Sequence, residues 1–192
     1  TPNNPGDLGP VIDVDEYGVL KNYLETNSSG RYRLTKDITF PTNTDVAARI
    51  VIPSNANTEL DLNGKQIYAG TRGQIQVESQ YFKMKNGSIK GGYSATNIPN
   101  YNQIGGFVYS SQTVIDTSLI FENIKHESYD ITDKGRGGFV TSWAGNIFFS
   151  GNNTLKNGNF NIKGGNVNFL DGTFKGEVTY SVGDPGAFNN GR

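Results

Sequence analysis

Apolar residues fall at every second position through most of this chain, in runs of roughly four to six residues closed by turn chemistry. In "RYRLTKDITF", Tyr32, Leu34, Ile38 and Phe40 alternate with polar neighbours. "RIVIP", "TELDLNGKQIYAG", "QIQVES" and "YFKMKNGSIKGG" follow with the same rhythm. Each reads as a short strand with one face turned to a core. One segment breaks the pattern. In "DVDEYGVLKNYLETNSSG", Val14, Tyr17, Val19, Leu20, Tyr23 and Leu24 make a helical stripe that Gly18 weakens. Asp13 or Asp15 is the expected cap at its start, and Gly30 is expected to end the loop that follows.

Asn63-Gly64, Asn86-Gly87 and Asp171-Gly172 are residue pairs that tolerate a positive φ. Taken singly, they suggest antiparallel hairpins. The repeats suggest otherwise. "LDLNGKQI" and "MKNGSIKG" both run strand, Asn-Gly, strand. "GGFVYSS" at 105 recurs as "GGFVTSW" at 137, and "SLIFENI" at 118 has a counterpart in "NIFFSGN" at 146. Units of roughly twenty to thirty residues, each with several short strands, are the rhythm of a solenoid whose stacked rungs share a core. A sandwich or jelly roll is the alternative. In "FFSGNNTLKNGNFNIKGGNVNFLDGTFKG" the expected inward residues are Phe148 or Phe149, Leu155, Phe160, Ile162, Val167, Phe169 and Phe174, with Gly and Asn at the corners. Turn asparagines are expected to stack as ladders.

"GRYRLTKDITF", "ANTELDLNGKQIY" and "FKMKNGSIKGG" resemble the pectate-lyase-like right-handed β-helix superfamily. "NIFFSGNNTLKNGNFNIKGGNVNFLDGTFKGEVTY" is similar to the repeat regions of Gram-positive bacterial cell-surface proteins of adhesin type that share that fold. The resemblance runs from about residue 31 onward. It implies an all-β right-handed parallel β-helix whose first rung is covered by a short N-terminal helix. It also implies a location outside the cell, attached to the cell wall, and a partner that is a host or bacterial surface glycan or protein. The resulting division is a linker at 1–13, a cap helix and loop at 14–30, a β-helix at 31–182 and a tail at 183–192, all within a longer protein whose anchor lies elsewhere. An uncovered last rung would offer its backbone to edge-to-edge self-association.

Charge narrows the choice of partner. Lys and Arg number 17 against 18 Asp and Glu, so a nucleic-acid partner and a polybasic membrane surface are not expected. No apolar run is long enough to span a membrane, so membrane insertion is not expected either. With no cysteine, disulfides and thiolate-bound zinc are excluded.

Catalytic chemistry is harder to place. Enzymes of the resembled superfamily carry an acidic Ca²⁺-binding cluster and a basic residue, usually Arg, that removes a proton. Asp61, Glu78, Glu122 and Glu127 are scattered, and no two share an evident rung position. His126, the one histidine, reads as a loop or rung-edge residue and not as part of a triad. No catalytic residue, metal or cofactor is therefore expected. The resemblance thus implies a binding module, with a polysaccharide lyase or hydrolase and a structural stalk as alternatives. The ligand contacts expected are Asp130, Asp133, Lys134 and Arg136, whose charges can pair with uronate carboxylates, and Trp143, whose flat ring can meet a sugar.

Overall fold

The computed structural model describes residues 1–42, 47–93, 105–111, 116–127, 139–142, 144–156, 159–162, 165–176 and 179–180. It is mostly strand, 55% of it, with few helices, so the all-β expectation holds. The chain opens with β1 (Val11–Val14) and α1 (Tyr17–Thr26). It then makes six passes through two sheets. The first pass is β2 (Gly30–Leu34), β3 (Ile38–Thr39) and β4 (Ala48–Ile52), and the second is β5 (Thr58–Asp61), β6 (Gln66–Gly70) and β7 (Gly73–Val77). The third is β8 (Tyr81–Gly91) and β9 (Val108–Ser110), and the fourth β10 (Ser118–Glu127) and β11 (Val140–Ser142). The fifth is β12 (Asn146–Ser150), β13 (Asn152–Lys156) and β14 (Asn159–Ile162). The sixth is β15 (Val167–Phe169), β16 (Thr173–Gly176) and β17 (Thr179–Tyr180).

Each pass lies against the one before it. The larger sheet runs β1-β2-β5-β8-β10-β12-β15, with β3, β6, β13 and β16 continuing the passes beyond a bend; the smaller runs β4-β7-β9-β11-β14-β17. Every pairing between these strands is parallel. Among the described residues the one antiparallel contact is an isolated bridge, Tyr93 to Gly106. The sequence repeats are stacked partners: Val140 sits on Val108, and Ser118 on Asn146.

Parallel register puts like on like. The column Leu60, Met84, Phe121, Phe149 faces inward, as does Ile50, Ile75, Val108, Val140. Burying each such side chain contributes about 1.5–3 kcal/mol. Of the inward residues expected in 148–176, Phe149 and Leu155 are buried in this core, and Val167 and Phe174 pack against it. Phe148 points the other way and joins Tyr81 and Ile120 in a small outer cluster. Phe169 is 58% exposed, although its ring stacks on Phe149. Nothing is described of the Phe160 and Ile162 side chains.

The Asn-Gly pairs are bends within a pass, not hairpins. Asn63, Asn86 and Asn123 have φ of 53°, 62° and 53°, and Gly151 and Gly172 take the same role at 70° and 77°. Only residues that accept a left-handed backbone fit here. Among the described residues the expected amide stacking occurs at one step, where Asn123 Nδ2 donates to Asn86 Oδ1 at 3.2 Å. The fifth pass carries one more bend residue than the fourth: Glu122 pairs with Ser150 but Lys125 with Thr154. The mismatch is taken up by a side chain. Buried Asn153 accepts the Ile124 N–H at 2.9 Å.

The N-terminal region departs from the expected division. Val11–Val14, expected to span the end of the linker and the first residue of the cap helix, form the first strand of the larger sheet. Upstream, the chain crosses the outside of that sheet. Arg31 donates to Gly9 O, Asn57 to Pro5 O, and Asn3 to Gln80 O and Asp116 O. The helix starts at Tyr17, three residues later than expected, because Asp13 is held in β1, where it pairs with Arg33. No side chain caps its first turn, and Gly30, expected in the loop, begins β2.

The helix covers the free side of β4, the end strand of the smaller sheet. Leu20 and Leu24 enter the core. Lys21 Nζ donates to Arg49 O at 2.9 Å, and Glu25 Oε2 accepts the Val51 N–H at 3.0 Å. Side chains of the helix therefore complete the hydrogen bonding of an edge strand. Glu25→Ala should lower stability by about 1–3 kcal/mol, the cost of leaving a partly buried N–H without a partner. Urea unfolding measures it; a change within about 0.5 kcal/mol would mean that water replaces the carboxylate.

Candidate functional site

Outward positions alternate with the core residues, and parallel register sorts them into columns. Before the bend, one column reads Asp13, Arg33, Asp61, Lys85, Glu122, Ser150, and its neighbour reads Arg31, Glu59, Lys83, Ile120, Phe148. Asp61 and Glu122, which showed no shared position in the sequence, thus stand in one column with Lys85 between them. Lys83 reaches Glu59 at 4.0 Å and Glu122 at 3.7 Å, and Lys85 reaches Glu59 at 3.6 Å. These four side chains are 15–29% exposed. Their charges offset one another, so this half of the face is a structural network. Burial pushes the Tyr81 phenol beside it upward, and the Glu59 and Glu122 charges add to the shift.

Beyond the bend the balance changes. One column runs Gln66, Ser88, Lys125, Thr154, Lys175, and the next runs Tyr68, Lys90, Glu127, Lys156. Each of the strands β8, β10, β13 and β16 therefore contributes one lysine to this half of the face. Glu127 is the single acid in these two columns, in a loose pair with Lys156 at 3.8 Å. With 68% and 46% of the two side chains in solvent, that pair adds little to stability. Lys125 and Lys175 are exposed and make no ion pair among the described residues. A groove of about 320 Å³ lies over β8, β10 and β13, where Ser88, Lys90, Lys125, Glu127, Thr154 and Lys156 line it.

His126 lies beside the groove but faces inward, contrary to its expected place at a loop or rung edge. It is 2% exposed, between Ile89 and Leu155 in the stack, with its ring 5.0 Å from Phe139. Its Nε2 meets Gly91 O at 2.7 Å, while Nδ1 has no partner. Among the described residues, no hydroxyl or carboxylate hydrogen-bonds to it as a triad requires. Burial pushes its pKa down to about 4.

The sequence pointed to five other residues as ligand contacts. Asp130, Asp133, Lys134, Arg136 and Trp143 fall outside the described residues. Along the chain the first four precede β11 and the tryptophan follows it. Among the described residues, no three His, Asp or Glu side chains gather as a metal site would require. The lysine face was missed because net charge averages over the whole surface. Its signal is local: Ile89-Lys90, Ile124-Lys125, Leu155-Lys156 and Phe174-Lys175 each set a lysine directly after an apolar core residue. Among the described residues no helix is long and apolar enough to cross a membrane. Comparison of the chain with protein-family models, with curated proteins and with solved structures found no match.

The buried histidine sets a pH dependence. Its folded pKa lies below its ordinary 6.5, so the unfolded chain binds the proton first. Stability should therefore be full above pH 6.5 and fall as pH drops toward 4. The loss at about pH 4.5 is expected to be about 2–3 kcal/mol. Asp171, held low by the Gly151 N–H and the Ser150 hydroxyl, adds its own loss only below its ordinary 3.8. In His126→Leu the slope between these limits should flatten in urea titrations; an unchanged slope would show that His126 does not supply it.

Proposed function

We propose that the six passes form a right-handed parallel β-helix and that the protein is a non-catalytic binding module of a bacterial cell-surface protein. The observation that carries this reading is the division of the outer face. One half is a closed network of alternating charges, and the other presents exposed lysines beside a groove. A stiff stack with a patterned, solvent-facing side suits display and adhesion, toward a glycan or protein of a host or neighbouring cell. Attachment to the cell wall would use sequence beyond these residues. Self-association through the last pass belongs to the same proposal, since Phe169 and Leu170 are 58% and 48% exposed there.

Turnover is not part of the reading. β-Elimination of a uronate needs a base at the acidic proton and a cation on the carboxylate. The acids that register brings into one column, Asp61 and Glu122, are instead separated by Lys85, and Glu122 is paired with Lys83. Polygalacturonate incubated with the protein and Ca²⁺ at about pH 8 should give no rise in unsaturated product, and reducing ends should not accumulate at about pH 5. Sustained product formation would overturn the non-catalytic reading in favour of a polysaccharide lyase or hydrolase. The labelled protein should bind at least one member of a panel of glycans and cell-surface proteins; binding to none would favour a structural stalk.

A further inference from the structure

We propose that the outer face of the second to fourth passes is a peptide-docking seat, filled here by the protein's own residues 3–8, and that it takes the same segment from a second copy to give a strap-exchanged dimer. The inference goes beyond the binding-module reading and does not depend on it.

The segment carries its own shape. Asn4 Oδ1 accepts the Gly6 N–H at 2.9 Å, and Asp7 Oδ1 accepts the Gly9 N–H at 2.8 Å. Gly6 and Gly9 both have φ of 74°, so Asn-Pro-Gly and Asp-Leu-Gly repeat one turn closed by a side chain. These bonds are internal to the segment, so a copy presented from another chain is already part-way organised for docking. A separate set of bonds holds it to the seat. The Asn3 N–H donates to Ser118 Oγ at 2.9 Å, and Asn3 Nδ2 donates to Gln80 O at 3.0 Å and Asp116 O at 2.7 Å. Asn57 Nδ2 donates to Pro5 O at 3.2 Å. The partners are 52 to 115 residues away in sequence, so none of these bonds depends on the segment belonging to the same chain.

A pivot and a loose fit make the segment releasable. Arg31 Nε and Nη2 both donate to Gly9 O, at 2.9 and 2.7 Å, just before the chain enters β1. That grip fixes where the segment leaves the sheet, and open space surrounds Gly9, about which residues 1–8 can swing. None of residues 1–10 is buried. A space of about 280 Å³ remains between segment and sheet, with Pro5, Asp7 and Leu8 on one side and Arg31, Glu59 and Tyr81 on the other. A few exposed hydrogen bonds with little apolar burial open at low cost. The surrounding face has balanced charge, in the Asp13–Arg33 pair and in Lys83 and Lys85 against Glu59 and Glu122, so two copies can meet there without net repulsion. Exchange is reciprocal and closes as a two-fold dimer. Within one chain the segment competes at an effective concentration of about 1 mM, so dimers should appear as the protein approaches that concentration.

The test uses the intact protein with a labelled peptide of residues 1–9. The peptide should bind, at least about tenfold more tightly than its Asn3→Ala form, which lacks two of the bonds to the seat. Sedimentation at about 1 mM protein should show a dimer. A locked variant separates this dimer from association through the last pass. With Asn3 N 2.9 Å from Ser118 Oγ, the two Cα atoms lie within the roughly 4.4–6.8 Å that a disulfide spans. Oxidised Asn3→Cys, Ser118→Cys protein, its segment tied within the chain, should neither bind the peptide nor dimerise. Peptide binding that ignores Asn3→Ala, or a protein that stays monomeric at every concentration, would overturn the proposal. A dimer that persists in the locked variant would overturn it too, and would assign self-association to the exposed Phe169 and Leu170 of the last pass.

Discussion

Parallel backbone pairing between successive passes is the interaction on which the rest of this structure depends. A pass has too few apolar residues to fold alone, and its N–H and C=O groups find partners only in the passes on either side. Once Val108 lies under Val140 and Leu60 under Met84, inward and outward positions are set for every pass together. A slip by one residue would turn the core columns out to water. The bends reinforce the register. At Gly87, a Cβ would come within 2.7 Å of Lys65 O and would overlap Leu62, so adjacent passes approach too closely there for any side chain. The Ile124 N–H, displaced by the extra residue of the next pass, is still satisfied by Asn153.

The same pairing creates an edge, and the helix meets it with chemistry that its sequence pattern only half announces. The stripe containing Leu20 and Leu24 was legible, because burial has a period. The hydrogen bonds from Lys21 and to Glu25 were not, since each looks like an ordinary surface charge until β4 is placed beside it. The start of the helix was misread for a related reason. Asp13 has the right chemistry for a cap, but β1 claims the residue first. The Asn-Gly pairs carried a true signal for positive φ and a misleading one for hairpins. Backbone angle is a local property, whereas the strand that meets the turn is not. The repeats corrected that reading, and the spacing of "GGFV" is the register itself.

Charge was legible only locally. A chain of net −1 gives no hint of a basic surface. Parallel stacking nonetheless gathers residues from each pass, and four lysines that are distant in sequence reach one face. Acids are sorted by the same rule, which is how Glu122 comes to lie opposite Lys85 and not beside another carboxylate. His126 illustrates the limit in the other direction. A polar residue in an outward-looking context was expected near the surface, yet its alternation with Ile124 places it in the core.

Register can be tested directly, because the chain contains no cysteine to interfere. Asp61 and Lys85 are adjacent outward partners in the larger sheet, and Val51 and Gln76 are partners in the smaller. Lateral neighbours at about one strand spacing fall inside the roughly 4.4–6.8 Å Cα separation that a disulfide spans. The account predicts that Asp61→Cys, Lys85→Cys and Val51→Cys, Gln76→Cys proteins each form an intramolecular disulfide under mild oxidation while still folded, seen as a loss of free thiols in the monomer. Thiols that stay free in both folded variants, or that oxidise only after unfolding, would contradict the parallel stack.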